Sequence, residues 1–391
     1  MRSTFVFTAG LAAISLCLSC SRSGHGVLES FSSHSAAALS RITGGETKIN
    51  PLPGMPPVTD PKDMYSHDRP GMLSPVVKDF PALVYVPNTK SNSVDVIDPK
   101  TYKVINRFRV GKEPQHVVPS WNLKRLWVTQ DLQDQLTLID PANGKKGETI
   151  HIDDPYNMYY TPDGKYAIIC AEREKRLDFR DAQTLKVVHR LSVPCEGVNH
   201  IDFSIDGRYL LATCEYSGEL LKVDVVDQKV IGTLKMSPSG MPQDVKASPD
   251  GKVFYVANME ANGVHLVDGD AFKQIGFIHT GKGAHGLYVS RDSKYLYVSN
   301  RGEGSVTLIN FATREIAAKW RIPGGGSPDM GGVSADGKIL WLSGRYNGVV
   351  YALDTSDGHL IAKIPVGKGP HGLCVYPQPG RYSLGHTGIF R

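Results

Sequence analysis

The sequence has little net charge, few cysteines and no long apolar segment in its body. Its 44 basic and 39 acidic residues leave a formal net charge of +5 without any lysine or arginine cluster, which argues against a nucleic-acid partner. The six cysteines form no Cys-x-x-Cys-His motif, so covalently attached c-type haem is excluded. No nucleophile and base stand at a short, recognisable spacing, and binding is therefore favoured over turnover.

The longest apolar run lies at the N-terminus, over residues 5–18. At roughly 14 residues it is shorter than the about 20 that a membrane-spanning helix needs, but it suits a secretory signal. Ser19-Cys20 is similar to the end of a bacterial lipoprotein signal, although Cys17 stands where such signals usually carry leucine. We expect residues 1–20 to be an export signal and Cys20 to be lipidated. The protein would then be a lipoprotein on the periplasmic or extracellular face of a membrane; the alternative is an ordinary cleaved signal.

Residues 21–80 differ in composition from the rest of the chain. They are rich in serine, proline and glycine, as in NPLPGMPPVTDP over 50–61, and show no sustained period. This composition is typical of a flexible linker. We therefore expect a tether over 21–80 and a folded domain over 81–391.

The folded domain repeats itself. GKGAHGLYV (281–289) and GKGPHGLCV (367–375) are near copies, and five weaker copies occur in the same part of the chain. When the seven copies are aligned, one polar residue of each falls in a single column at successive spacings of 41, 43, 44, 41, 44 and 42. The column residues are His116, Asn157, His200, Asp244, His285, Asp329 and His371.

Each copy predicts four short strands. An alternating apolar strand follows the column residue, a turn such as SPDGK (248–252) comes next, and three more alternating segments complete the repeat. Four antiparallel strands every 40–45 residues are typical of a β-propeller blade. We therefore predict an all-β, seven-bladed β-propeller. Because the first blade begins at Leu83, its innermost strand is expected to come from His371–Tyr376 and to close the ring.

Three segments resemble the motif of a known family. Tyr85–Asn88, Tyr255–Asn258 and Tyr297–Asn300 read YVPN, YVAN and YVSN, and they are similar to the repeat of the YVTN-type, YncE-like β-propeller proteins. The resemblance covers roughly 83–386 and implies an exported seven-bladed propeller. That family overlaps in sequence with the d1-haem propeller of cytochrome cd1 nitrite reductase, so a tetrapyrrole ligand is one implied possibility. The fold alone fixes no activity.

The column residues should meet at one mouth of the central channel, since the first strand of each blade lines it. Four interpretations of this ring of imidazoles and carboxylates stay open. The residues can be the polar lining of a wet channel, or they can bind a divalent metal ion. They can instead provide an axial histidine to a haem-like tetrapyrrole, or catalyse without metal. We expect a small-molecule or protein ligand at this face; the enzymatic alternative is a metal-dependent lyase or lactone hydrolase.

A second column lies at the ends of the second strands. Arg301 and Arg345 are 44 residues apart, on adjacent blades, and two guanidinium groups there can receive a carboxylate or phosphate. The alternative is a solvated pair bridged to acids such as Glu303. His386, in the C-terminal tail, is expected on the surface. The full column reads Asn88, Gln130, Glu172, Glu215, Met259, Arg301, Arg345 and His386.

Cysteines remain in the folded domain. Cys195 precedes the first strand of a repeat and Cys214 ends the second, so hairpin geometry allows a disulfide between them. Cys170 is a rival partner, free buried thiols are the other alternative, and the sequence does not decide the connectivity. Cys374 lies within a strand and is expected in the core.

Overall fold

The computed structural model describes residues 49–386 and 389–391. Its strands form seven four-stranded antiparallel sheets, which confirms the seven-bladed propeller. A single 3-10 turn, Asp131–Gln133, is the helical element of the described residues. The strands are β1 Leu83–Asn88, β2 Ser93–Asp98, β3 Lys103–Arg109, β4 Pro114–Pro119, β5 Leu126–Gln130, β6 Gln135–Asp140, β7 Lys145–His151, β8 Pro155–Tyr160, β9 Tyr166–Ala171, β10 Arg176–Asp181, β11 Val187–Ser192, β12 Val198–Phe203, β13 Tyr209–Cys214, β14 Glu219–Asp224, β15 Lys229–Lys235, β16 Pro242–Ala247, β17 Val253–Asn258, β18 Gly263–Asp268, β19 Lys273–His279, β20 Ala284–Val289, β21 Tyr295–Asn300, β22 Ser305–Asn310, β23 Ile316–Arg321, β24 Pro328–Val333, β25 Ile339–Gly344, β26 Val349–Asp354, β27 Leu360–Pro365 and β28 Cys374–Tyr376.

The blade that begins at Leu83 joins the two ends of the repeat region. Six blades each use four consecutive strands, whereas the seventh has the order β28-β1-β2-β3. In it, Leu83 pairs with Tyr376 and Tyr85 with Cys374. The closure of the ring by a strand from the far end is thus confirmed, and β28 covers the inner edge of β1.

Burial falls from the first to the fourth strand of a blade. Every residue of β4 is buried, whereas β7 is exposed except for Ile150. The first strands therefore surround the central channel, and the fourth strands face solvent. Because β-branched and aromatic side chains alternate along the middle strands, both faces of each sheet can pack on the neighbouring blades.

The Ser-x-Asp-Gly-Lys turns close the hairpins between first and second strands. In one of them, the Ser248 hydroxyl donates to Asp250 at 2.6 Å and accepts the backbone N–H of Val253 at 3.0 Å. Gly251 has a φ of +68°, which side-chain-bearing residues rarely adopt. The sequence pattern therefore encodes the turn itself and not a ligand site.

Residues 49–80 pack on the propeller, in contrast to the flexible tether expected over 21–80. Leu52 and Tyr65 are buried, and the Tyr65 hydroxyl donates to a backbone carbonyl of the propeller at 2.9 Å. Scattered apolar side chains supply enough burial to hold a segment that has no regular period. The expected export signal, Cys20 and the tether residues 21–48 lie outside the described residues.

The cysteines of the repeats are arranged as the hairpin geometry predicts. Cys195 and Cys214 form a disulfide with their Cα atoms 5.9 Å apart. Cys170 and Cys374 are buried free thiols. The antiparallel pairing of β12 with β13, in register at Val198 and Cys214, brings the bonded pair together.

The C-terminal tail turns back over the channel. The backbone N–H of Tyr160 donates to Leu384, and the Arg391 guanidinium donates to the carbonyls of Phe203 and Ser204 at 2.7 and 2.9 Å. These partners lie at or just after the C-terminal ends of the first strands β8 and β12. The column residues lie near the starts of the same strands, so the tail covers the channel end opposite the mouth. In the described part of the chain, no helix has the length and apolar character needed to cross a bilayer.

Candidate functional site

All seven column residues lie on the channel side of the ring. They fall on β4, β8, β12, β16, β20, β24 and just before β28, and each is at most 2% exposed. The structure divides them into groups with different partners, so they do not form one uniform ring. The column is His116, Asn157, His200, Asp244, His285, Asp329 and His371.

Asp329 is the centre of the first group. One of its oxygens accepts Arg301 Nη1 at 3.1 Å and lies 3.2 Å from His285 Nδ1. The other lies 2.8 Å from His371 Nδ1 and 3.9 Å from Arg345 Nε. Burial alone would raise the pKa of Asp329, but His285 and the two arginines outweigh it and lower that pKa. Asp329 therefore stays ionised and fixes four side chains.

The second group is a cluster of three imidazoles. The ring centroids of His116 and His200 are 5.4 Å apart, and each is 4.9 Å from the ring of His386. His386 was expected on the surface, but it is fully buried. Its backbone N–H donates to the carbonyl of Met158 at 3.3 Å, because the tail re-enters the channel beside β8.

Burial governs the charge of these imidazoles. Burial, together with the charge of Lys246, lowers the pKa of His200 to about 3. Burial is also the main reason why the pKa values of His116, His371 and His386 fall well below the ordinary value. The rings are therefore neutral near pH 7 and can offer nitrogen lone pairs.

The remaining two column residues are held by other groups. Asp244 accepts the backbone N–H groups of Val245 and Leu287, both at 2.9 Å, and burial raises its pKa to about 6. Asn157 lies 3.2 Å from His386 Nδ1. Asp244 thus links neighbouring first strands, and Asn157 orients a histidine.

The mouth of the channel contains a cavity of about 320 Å³. One side carries Arg301 and Arg345, and His285 and His371 lie at the base. The other side is acidic. Its carboxyl groups come from Glu113, Asp131, Glu172 and Glu215, and Arg173 also lines this side, 3.5 Å from Asp131.

Burial alters the carboxyl groups of the acidic side. It raises the pKa of Glu172 to about 8, with Glu215 adding to the effect, and that of Asp131 to about 7, with Asp154 adding to it. Glu172 is therefore largely protonated at neutral pH and can donate as well as accept a hydrogen bond. The mouth thus combines a cationic side with a side of titrating carboxyl groups.

The second column is only partly directed at this mouth. Asn88 bonds to Asp95 and Gln130 to Thr137 within their own blades, so these residues are structural. Arg301 pairs with Asp329, while Glu303 pairs with lysine and arginine side chains of β23. The expected bridge from the arginines to Glu303 does not form.

Two larger depressions lie elsewhere. They have volumes of about 480 and 560 Å³ and lie at turns between blades, and no described residue of their lining is a histidine. The mouth cavity is smaller, but titratable groups from many blades converge in it, which favours it as the ligand site.

Fold and channel together define a seven-bladed β-propeller whose channel is polar and rich in histidine. A model of the YNCE-like beta-propeller family matches residues 74–380. The chain belongs to that family, as the YVTN-type motifs indicated.

Solved structures share the fold at low sequence identity. A putative 6-phosphogluconolactonase from Bacteroides uniformis is 18% identical, with 76% of this chain and 100% of that chain covered and a TM-score of 0.63. Hydrazine synthase from Kuenenia stuttgartiensis is 18% identical, with coverages of 71% and 97% and a TM-score of 0.60. The dihydro-heme d1 dehydrogenase NirN, in complex with DHE, is 19% identical, with coverages of 78% and 76% and a TM-score of 0.58. A search among curated proteins finds no match. These likenesses concern the fold alone.

Two parts of the site were missed from sequence. His386 ends the second column but was expected on the surface, although the apolar residues around it, Tyr382, Leu384 and Phe390, are a signal that the tail is buried. Tyr156, beside the column, lines the mouth and places its ring 5.6 Å from that of His116. In the sequence, Tyr156 directly precedes the column residue Asn157, and this position could have indicated that it lies at the mouth.

Proposed function

We propose that this protein is a ligand-binding accessory protein whose channel mouth binds a small polar molecule carrying a carboxylate or another anionic group. The observation that carries the proposal is Arg345. Its Nη1 is buried and has no hydrogen-bond partner among the described residues, although the side chain lines the mouth cavity. A buried guanidinium donor without an acceptor is costly, and an anionic ligand would supply the acceptor.

The neighbouring groups favour the same ligand chemistry. Asp329 offsets only part of the charge of Arg301 and Arg345. Opposite them, the buried carboxyl group of Glu172 and the half-buried one of Glu215 can bond to hydroxyl or amino groups of a ligand. A volume of about 320 Å³ is at the lower end of ligand sites, which favours a small molecule over a d1-haem-type tetrapyrrole.

The first test is binding of defined anions. Calorimetric titrations would use phosphate and a series of small hydroxycarboxylates and amino acids as probes. We expect saturable binding of at least one probe, weakened about 10- to 100-fold by Arg345→Gln, since a charge-assisted hydrogen bond contributes about 1.5–3 kcal/mol. Arg190→Gln, on the exposed strand β11, is the matched control and should bind like the wild type.

Two results would overturn the proposal. One is the absence of binding by every probe at millimolar concentration; the other is equal affinity in the Arg345 variant and the wild type. A new visible absorption band after addition of haem, without binding of small anions, would favour the tetrapyrrole alternative instead. Hydrolysis of a lactone probe that stops on chelation would favour the metal-dependent lyase or lactone hydrolase.

We also propose that the protein acts outside the cytoplasm as a lipoprotein anchored through Cys20. The support is the N-terminal apolar run before Cys20 together with the disulfide Cys195–Cys214, since disulfides persist mainly in oxidising compartments. We expect the full-length protein to fractionate with membranes and Cys20→Ala to be released, while Cys17→Ala stays attached. Immunoblots of the fractions measure this. Equal fractionation of the wild type and Cys20→Ala would contradict the anchor.

A further inference from the structure

The cluster of His116, His200 and His386 lies below the mouth cavity and has no role in the anion site. Its members come from β4, from β12 and from the tail, so distant parts of the chain converge at one point. Nitrogen atoms from all three rings lie within 4.8 Å of one another, and all three residues are buried. Tyr156 stands between the cluster and the cavity, with its ring 5.6 Å from His116 and 6.0 Å from His200.

Four of the six ring nitrogens of the cluster lack partners among the described residues. Both nitrogens of His116 and the Nε2 atoms of His200 and His386 are buried without a hydrogen bond among the described residues. Buried polar atoms are nearly always paired, and each one left unpaired costs about 1–3 kcal/mol. Three imidazoles with four such atoms at one point are not explained as ordinary core packing. A neutral imidazole carries one N–H and one lone pair, so an occupant can take at most one lone pair from each ring.

Side-chain amides orient two of the rings. Asn199 Oδ1 lies 3.1 Å from His200 Nδ1, so it receives the Nδ1 proton and leaves the Nε2 lone pair free. Asn157 Nδ2 lies 3.2 Å from His386 Nδ1, while Asn157 Oδ1 accepts the backbone N–H of Met158 at 2.9 Å, so this amide has to turn away from Nδ1 before His386 can bind an ion through Nε2. An acceptor such as Asn199 Oδ1 is typical beside a metal-binding histidine.

We propose that His116, His200 and His386 bind one divalent transition-metal ion of the zinc or copper type. Neutral imidazoles suit Zn²⁺ and Cu²⁺, whereas Mg²⁺ and Ca²⁺ require oxygen ligands. His371 stands next to the site: its ring is 4.9 Å from that of His116, its Nε2 is unpaired, and its Nδ1 is held by Asp329. Because His371 also lines the mouth cavity, it lies between the proposed metal site and the mouth.

The test is metal binding by the isolated mature protein without a histidine tag. Protein stripped with a chelator would be titrated with Zn²⁺ against a chromophoric competitor, and with Cu²⁺ under electron paramagnetic resonance. We expect one equivalent of each ion, and a Cu²⁺ spectrum split by nitrogen ligands. His386→Ala should weaken binding by more than about 100-fold, because removal of even a residue that only supports a ligand costs about 10- to 100-fold.

The control is His265→Ala. His265 is equally buried but bonds to Asn258 in β17, so this variant should lose stability and keep one equivalent of metal. Failure of the stripped wild type to bind either ion would overturn the proposal and leave water as the occupant. Binding of equal strength in His386→Ala and the wild type would overturn it as well. Arg345→Gln should retain the metal, which separates this proposal from that of the anion site.

Discussion

Asp329→Ala is expected to lower the free energy of unfolding by about 3–5 kcal/mol, since breaking a buried ion pair by removing one partner leaves an uncompensated charge. Asp329 is fully buried and contacts Arg301, His285 and His371 within 3.2 Å. Without it, the Arg301 guanidinium, which is 10% exposed, loses its carboxylate. Urea-induced unfolding followed by circular dichroism measures the change.

The matched control is Asp357→Ala, which removes an exposed carboxylate paired with His359. Substitutions of this kind usually change stability by less than about 0.5 kcal/mol. Asp329→Asn separates charge from shape, because the amide can still accept hydrogen bonds. A loss below about 1 kcal/mol in Asp329→Ala would show that the arginines find other partners and that Asp329 does not organise the mouth.

Glu172→Gln is expected to make the protein more stable than the wild type as the pH rises. The pKa of Glu172 is raised to about 8 by burial and by Glu215, so the folded state holds a proton that the unfolded state releases. The stability that this proton contributes is complete below the ordinary carboxyl pKa and is lost as the pH rises through about 8. The slope is about 1.4 kcal/mol per pH unit for one proton.

Unfolding of both proteins at about pH 6 and pH 8 should therefore shift their stability difference by about 2 kcal/mol in favour of Glu172→Gln. The amide keeps the contact that Asn199 makes with Glu172, so the comparison isolates the charge. Glu148→Gln, on the exposed strand β7, controls for the substitution itself. A difference that is constant with pH would show that Glu172 is ionised in the folded protein throughout this range.

Repetition made the fold predictable. The Asp-Gly turns, the alternating strands and the column spacing recur around the ring, so each copy supports the same prediction of strands and turns. The closing strand β28 followed from a missing first strand before Leu83. The Cys195–Cys214 disulfide was one pairing that the ends of a hairpin allowed, since antiparallel pairing makes these residues neighbours, but the sequence left Cys170 as a rival partner.

The site was predictable only as far as it depends on the repeat. The column placed His116 and His371 in the channel, but not the division between the Asp329 group and the imidazole cluster, because that depends on side-chain directions. Residues 49–80 are not periodic, and the repeat does not set the direction of the His386 side chain, so their packing depends on contacts that a single sequence does not display. Asp244 illustrates the same limit, since its oxygens are bound to backbone N–H groups of neighbouring first strands.

The tail also makes the imidazole cluster depend on residues that follow the closing strand. Tyr382, Leu384 and Phe390 are buried, and His386 comes after β28 in the chain. The three-imidazole cluster therefore cannot form until the chain has been made beyond all seven blades. An incompletely synthesised or clipped molecule can have every blade and still lack this cluster.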